Sequence, residues 1–287
     1  MATGPVAALA DLVEAKASEV PAQLLHKRLR CARPCLPQLR GPIALSQEMS
    51  DPSGPSADAS TVALFQQDWQ IYRKMVDNNF LFHREAYARL HAFLTREINR
   101  PFGFLDIACG DASASAGALR GTAISRYHGI DFSAAALDLA RQNLQVLDCP
   151  VTLEQADFLT ALAGREHRDD VIFIGLSLHH LEGPEKLAFM LQIRRTLAPD
   201  GVFVIYENTS PDGEDRAGWL RRWDLQQPAW TAYTPDEWVS MRTHVHAADY
   251  PETVTGWHQL GRYAGFAQVR ELYAAPTDLF RMYAFGG

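Results

Sequence analysis

The run Phe104-Leu-Asp-Ile-Ala-Cys-Gly-Asp-Ala-Ser113 constrains this chain more than any other stretch. An apolar strand ends on an acid, Asp106. A tight turn of small residues follows, with Gly110 inside it, and an Ala/Ser-rich segment opens a helix. Strand, turn and helix in this order form the unit in which a βαβ fold lets backbone N–H groups approach a nucleotide-like ligand. A second acid, Asp131, closes Tyr127-His-Gly-Ile-Asp131, where the second strand should end and a ribose can be gripped through its hydroxyls.

The pair of signals resembles a class I S-adenosylmethionine-dependent methyltransferase. That family's first motif is an acid followed by three alternating glycines. Here the acid is Asp106 and the glycine positions read Ala108, Gly110 and Ala112. Alanine adds one methyl group and still permits helix entry. Taken alone, the turn suits any Rossmann-like nucleotide binder equally well. Later segments separate the two. Glu154-Gln-Ala-Asp157-Phe158 follows a β-branched run from Val151, where in the family an acid and its neighbour meet the adenine. Asp169-Asp-Val-Ile-Phe-Ile174 reads as a buried strand and runs into Gly175-Leu-Ser-Leu-His-His-Leu181, similar to the fourth-strand ending of small-molecule methyltransferases. Leu197 to Tyr206 is similar to the family's Pro-x-Gly turn and fifth strand. Tyr263-Ala-Gly-Phe266 precedes two strand-like runs, Gln268 to Ala274 and Asp278 to Phe285, which look like the terminal hairpin.

The resemblance spans residues 100–287. It implies an α/β fold: a doubly wound, seven-stranded, mostly parallel Rossmann-like sheet with a C-terminal antiparallel hairpin and a helical cap. It further implies S-adenosyl-L-methionine as cofactor. The residues it assigns to cofactor binding are Asp106, Ala108, Gly110, Asp131, Phe132, Asp157, Phe158 and Leu176, joined by Tyr72 and Arg84 from the cap.

Residues 1–60 read as a flexible N-terminal extension. Five prolines before residue 43 interrupt helices, and a polar Ser/Pro/Asp segment follows Met49, which could itself be the natural start. Residues 61–99 read as a helical lid. Leu64, Phe65, Trp69, Tyr72 and Met75 recur at helical spacing, Asp77-Asn-Asn79 marks a break, and Phe80 to Ile98 is predicted as a second helix. Between the fifth strand and the hairpin lies an insert, residues 208–258, carrying Trp219, Trp223, Trp230, Trp238 and Trp257. It leaves from the carboxyl edge of the sheet, where ligands bind, so its aromatics are expected to wall an acceptor pocket, some of them serving as core.

Methyl transfer from a sulfonium needs mainly proximity and alignment, and a base only where the acceptor must shed a proton. His180 is the first candidate base, with His179 beside it and Glu207 at the end of the fifth strand as further candidates. The same residues also read as structural. His128 reads as a satisfied core histidine.

The formal net charge is -7, and no long Lys/Arg block appears. Acidity argues against a nucleic-acid substrate and for a small-molecule methyl acceptor. No metal is expected, since Cys31 and Cys35 have no second pair. Nor is a membrane span, since no apolar run of about 18 residues occurs. Few cysteines and no secretory signal point to the cytoplasm. Self-association into a homodimer stays open. Two competing readings are an RNA or protein methyltransferase and a non-methylating binder of the same cofactor. A Rossmann oxidoreductase is disfavoured because the turn lacks G-x-G-x-x-G.

Overall fold

The computed structural model describes Ile71 and residues 73–287. Tyr72, Met49 and the 1–60 extension lie outside the described residues. The chain alternates strand and helix as the sequence pattern requires. After α1 (His83–Glu97) come β1 (Phe102–Ile107), α2 (Ser113–Leu119), β2 (Ile124–Asp131), α3 (Ala134–Asn143), β3 (Val151–Gln155) and α4 (Phe158–Ala163). Then follow β4 (Asp169–Gly175), α5 (Gly183–Thr196), β5 (Leu197–Ser210), α6 (Arg216–Asp224) and α7 (Pro235–Ala248). The chain closes with β6 (Glu252–Thr253), α8 (Val254–Tyr263), β7 (Gln268–Ala274) and β8 (Phe280–Gly286).

The strands lie in the order β3-β2-β1-β4-β5-β8-β7. β8 alone runs against its neighbours, pairing antiparallel with both β5 and β7. The expected seven strands and terminal hairpin are present. An eighth, β6, is added because β5 continues to Ser210, and Thr209 and Ser210 pair with Glu252 and Thr253.

Strand periodicity of two divides the core between the sheet's faces. Phe104, Phe173, Val204 and Tyr206 point to one face, under α1, α2 and the insert. Leu105, Ile172, Ile174, Phe203 and Ile205 point to the other, under α4, α5 and α8. Helices on both faces explain why β1 is buried along its whole length. No helix among the described residues is long and apolar enough to cross a membrane.

Two expectations are corrected. The second cap helix begins at His83 rather than Phe80, because Asn79 (φ 56°) and Phe82 (φ 53°) take left-handed conformations that a helix cannot include. The insert tryptophans serve as core rather than as an open aromatic wall: all five are buried. Trp223 stacks on Trp238 at 4.9 Å between ring centres, and Trp230 stands edge-on to both. Apolar area of that size is worth more inside a subdomain core than facing water.

Gly129 in β2 links strand packing to the turn after β1. A Cβ there would stand 2.9 Å from Cys109 Sγ and from Leu153 Cδ2, and 3.0 Å from a Tyr127 ring carbon. Gly129→Ala should therefore destabilise the fold by about 1–3 kcal/mol through overpacking. Urea unfolding checks this, and an unchanged midpoint would contradict the tight packing.

Candidate functional site

The turn after β1 is built from three alternating left-handed residues: Ala108 (φ 53°), Gly110 (φ 55°) and Ala112 (φ 53°). These are the three glycine positions of the family motif. The turn thus holds its glycine geometry with alanine at two of them, at about 1–2 kcal/mol of local strain each. Cys109 N donates to the Ile130 carbonyl at 3.1 Å, so the turn leans on the end of β2.

Asp106 is buried at the end of β1 and accepts from the Tyr127 hydroxyl at 2.7 Å. Burial pushes its carboxyl up to about 6, against hydrogen bonds from Ser115 and Tyr127 and assisted by the nearby Asp131 charge. Asp131 takes Gly110 N on Oδ2 at 2.8 Å and Ser133 N on Oδ1 at 2.9 Å. Burial raises its pKa, and those backbone donors oppose the rise. The acid therefore ties the β1 turn to the β2 turn. Each oxygen accepts one backbone bond and retains capacity for a hydroxyl.

Asp157 caps α4, its Oδ1 accepting from Thr160 N at 3.1 Å, and Phe158 packs edge-on against Phe189. Phe132 is 74% exposed at the start of the β2–α3 turn. Leu176 (φ 49°) follows β4 with its N–H on the Tyr206 carbonyl. Arg84 lies exposed in the first turn of α1, its N–H accepted by Asn79 Oδ1.

A cleft of about 310 Å³ opens beside the β1 turn. It is lined by Cys109 and Asp111 to Ser115 from the turn and α2, His83 and Tyr87 from α1, and Arg73 and Asp77 from the preceding helical segment. Arg84 is not among its lining residues. Burial pushes His83 down to about 4, with Asp111 opposing. Sequence reasoning missed Arg73, Tyr87 and Asp111. The Ala/Ser-rich helix opening and the reading of residues 61–99 as a lid were the signals that pointed to this face.

The loop after β4 forms a second cluster. Glu207 is wholly buried, and its Oε1 accepts from Ser177 N (2.7 Å) and Leu178 N (2.6 Å). Its Oε2 meets His179 Nδ1 at 2.8 Å. His179 Nε2 faces Asp249 Oδ1 at 3.8 Å, and His180 Nδ1 faces the same oxygen at 3.6 Å. Burial works against the charged form of His179, but the Asp249 and Glu207 carboxylates outweigh it and its pKa rises. His180 is partly exposed, and burial followed by the fields of His179 and His244 drives its pKa well down. The structure therefore brings His179, His180 and Glu207 together, as their positions after β4 and β5 suggested. His128 is satisfied by Glu154 (3.1 Å) and Arg165 (3.0 Å).

Residues 104–201 match the family model described as a methyltransferase domain. Over 120 residues the chain is 27% identical to the probable methyltransferase ltbC of Aspergillus luteorubrus, covering 39% of this chain and 42% of that protein. The chain thus spans less than half the length of the curated relative it matches. In fold, the chain is similar to the plantazolicin methyltransferase BpumL in complex with SAH. That likeness has a TM-score of 0.55 at 14% identity, over 80% of this chain and 91% of that one. The pyocyanin biosynthetic protein PhzM is similar with a TM-score of 0.50 at 20% identity, over 70% of this chain and 55% of that one.

The raised pKa of Asp106 makes stability pH-dependent. Its native value lies above its unfolded value, so the carboxyl's contribution is intact below about pH 4 and is lost as the pH rises through about 6. At about 1.4 kcal/mol per pH unit, the loss is on the order of 3 kcal/mol. Asp106→Asn should be more stable than the native protein at pH 8, and the gap should close by pH 4. Urea titrations across that range check this, and a constant gap would refute it.

Proposed function

We propose that the protein is an S-adenosylmethionine-dependent methyltransferase acting on an O, N or C atom of a small molecule. The observation that carries this reading is the β1 turn: three alternating left-handed residues tied to Asp131 within a matched methyltransferase domain. The turn's geometry fits the cofactor. A Cβ built on Gly110 meets no heavy atom within 4 Å, so the backbone there faces open space. Asp131 offers carboxylate oxygens to ribose hydroxyls. Asp157, Phe158, the exposed Phe132 and Leu176 border the adenine. Arg73, Asp77 and Asp111 present both charge signs in the cleft, which suits the zwitterionic amino-acid end of the cofactor. When bound, the cofactor supplies an activated sulfonium methyl group.

This chain's own residues align and shield. Asp106 and Tyr127 hold β1 and β2 in register beneath the turn. Glu207 holds the loop that carries His179 and His180, and it has no exposed surface from which to serve an acceptor. His180, partly exposed past β4, is the acceptor-side group, and His179 and Glu207 position it. The cap around Arg73 and Tyr87 excludes water. Free thiols at Cys109 and Cys149 support a cytoplasmic setting.

S-adenosylhomocysteine should raise the melting temperature, and NAD should not. Gly110→Ala should lower stability only by about 1–2 kcal/mol of backbone strain while weakening S-adenosylhomocysteine binding further, because its methyl enters the open space. Asp131→Ala should weaken that binding by about 1.5–3 kcal/mol for each charged hydrogen bond lost. Calorimetry reads both variants. Tight NAD binding with no S-adenosylhomocysteine binding would overturn the assignment.

A further inference from the structure

We propose that His179, His180 and Asp249 form a binding site for a divalent transition-metal ion, zinc by preference. The proposal stands on donor geometry and does not depend on the methyl-transfer reading. One ligand atom from each residue lies within 4.8 Å of the others. The two pairings with Asp249 Oδ1, at 3.8 and 3.6 Å, are too long for hydrogen bonds. They lie close to the separation of roughly 3.3–3.6 Å between neighbouring ligands of a tetrahedral zinc with bonds of about 2.0–2.2 Å.

Three further observations point to an ion. Asp249 is buried, and its Oδ1 has no hydrogen-bond partner, although its Oδ2 accepts from Asn208 Nδ2 at 2.9 Å. A buried carboxylate oxygen left unpaired is costly, and a cation placed between it and two imidazoles removes that cost. Next, the arrangement behind His179 is that of a supported metal ligand. Glu207 Oε2 meets Nδ1 at 2.8 Å, which fixes the tautomer and turns the Nε2 lone pair toward Asp249. Finally, the frame is rigid. Tyr250 N donates to the His179 carbonyl at 2.7 Å, and the buried Lys186 donates to the Tyr250 carbonyl at 2.5 Å and to Glu252 at 2.9 Å. Glu252 thus balances the Lys186 charge, leaving Glu207 and Asp249 to balance the ion.

Two imidazoles and one carboxylate select a borderline metal over magnesium or calcium, which favour all-oxygen shells. His180 gives up a 3.3 Å contact to the Ala248 carbonyl on binding. His244, whose ring lies 5.4 Å from that of His180, stands nearby as a further donor. With three protein ligands, a fourth position stays open on the side where His180 is exposed, as in sites where zinc orients or deprotonates an oxygen ligand.

The test uses the untagged full chain, stripped with a chelator and titrated with zinc, cobalt(II) and magnesium chlorides by calorimetry. One zinc per chain is expected, with no magnesium binding, and cobalt should give the intense visible bands of tetrahedral coordination. Asp249→Asn and His180→Ala should each weaken zinc binding at least tenfold. His180 is partly exposed, so its variant remains informative if Asp249→Asn does not fold. His167→Ala, on a residue 57% exposed that faces Asp169 and not the proposed ligands, should bind as the native chain does. No stoichiometric zinc uptake by the native chain would overturn the proposal. Undiminished binding by a folded His180→Ala variant would overturn it equally.

Discussion

Glu207 is the interaction on which the carboxyl edge of this sheet depends. It ends the central part of β5, has no exposed surface, and draws in Ser177 N, Leu178 N and the His179 ring. A buried carboxylate is tolerable only when its oxygens are satisfied by strong donors. Here the donors come from the loop after β4, so desolvation and loop conformation solve each other. Without the carboxylate, two buried N–H groups would lose their acceptor. Without the loop, the charge would be stranded. Register between β4 and β5, from Val171 opposite Val202 to Gly175 opposite Tyr206, delivers both halves to the same place.

The other end of the site is held by Asp131, used in the same way. Its oxygens take backbone N–H groups from the β1 turn and its own turn. That support lets Ala108 and Ala112 persist in left-handed backbone that glycine would enter freely. Site geometry therefore rests on two buried carboxylates, each holding a strained or irregular loop. Asp106, the third, is less well served, and burial dominates its pKa.

The insert and the segment before α1 form one cap. Lys74 Nζ reaches Glu237 at 2.7 Å, Phe80 stacks on Trp230 at 5.3 Å, and the Tyr233 hydroxyl donates to the Ile71 carbonyl. The Trp223–Trp238–Trp230 cluster gives the cap an apolar centre of its own. Arg73 and Asp77, carried by the same segment, reach the cleft because that centre fixes where the segment lies.

The succession of strands and helices, the turn after β1 and the paired acids Asp106 and Asp131 were legible in the sequence. They rest on local rules: apolar runs make buried strands, small residues make tight turns, and acids at strand ends meet the ligand edge. So were the proximity of His179 and His180 to the β4 edge and the satisfied state of His128. Tertiary packing decided the rest. Period and composition cannot tell a tryptophan that walls a pocket from one that fills a core, since both bury the same area, and here all five fill the core. The start of α1 moved to His83 because Asn79 and Phe82 take left-handed backbone, which no helical periodicity records. Asp249 carried no signal at all. It stands 69 residues beyond His180 in the chain, and only the docking of α7 and β6 against the β4 loop brings its unpaired oxygen to face two histidine rings.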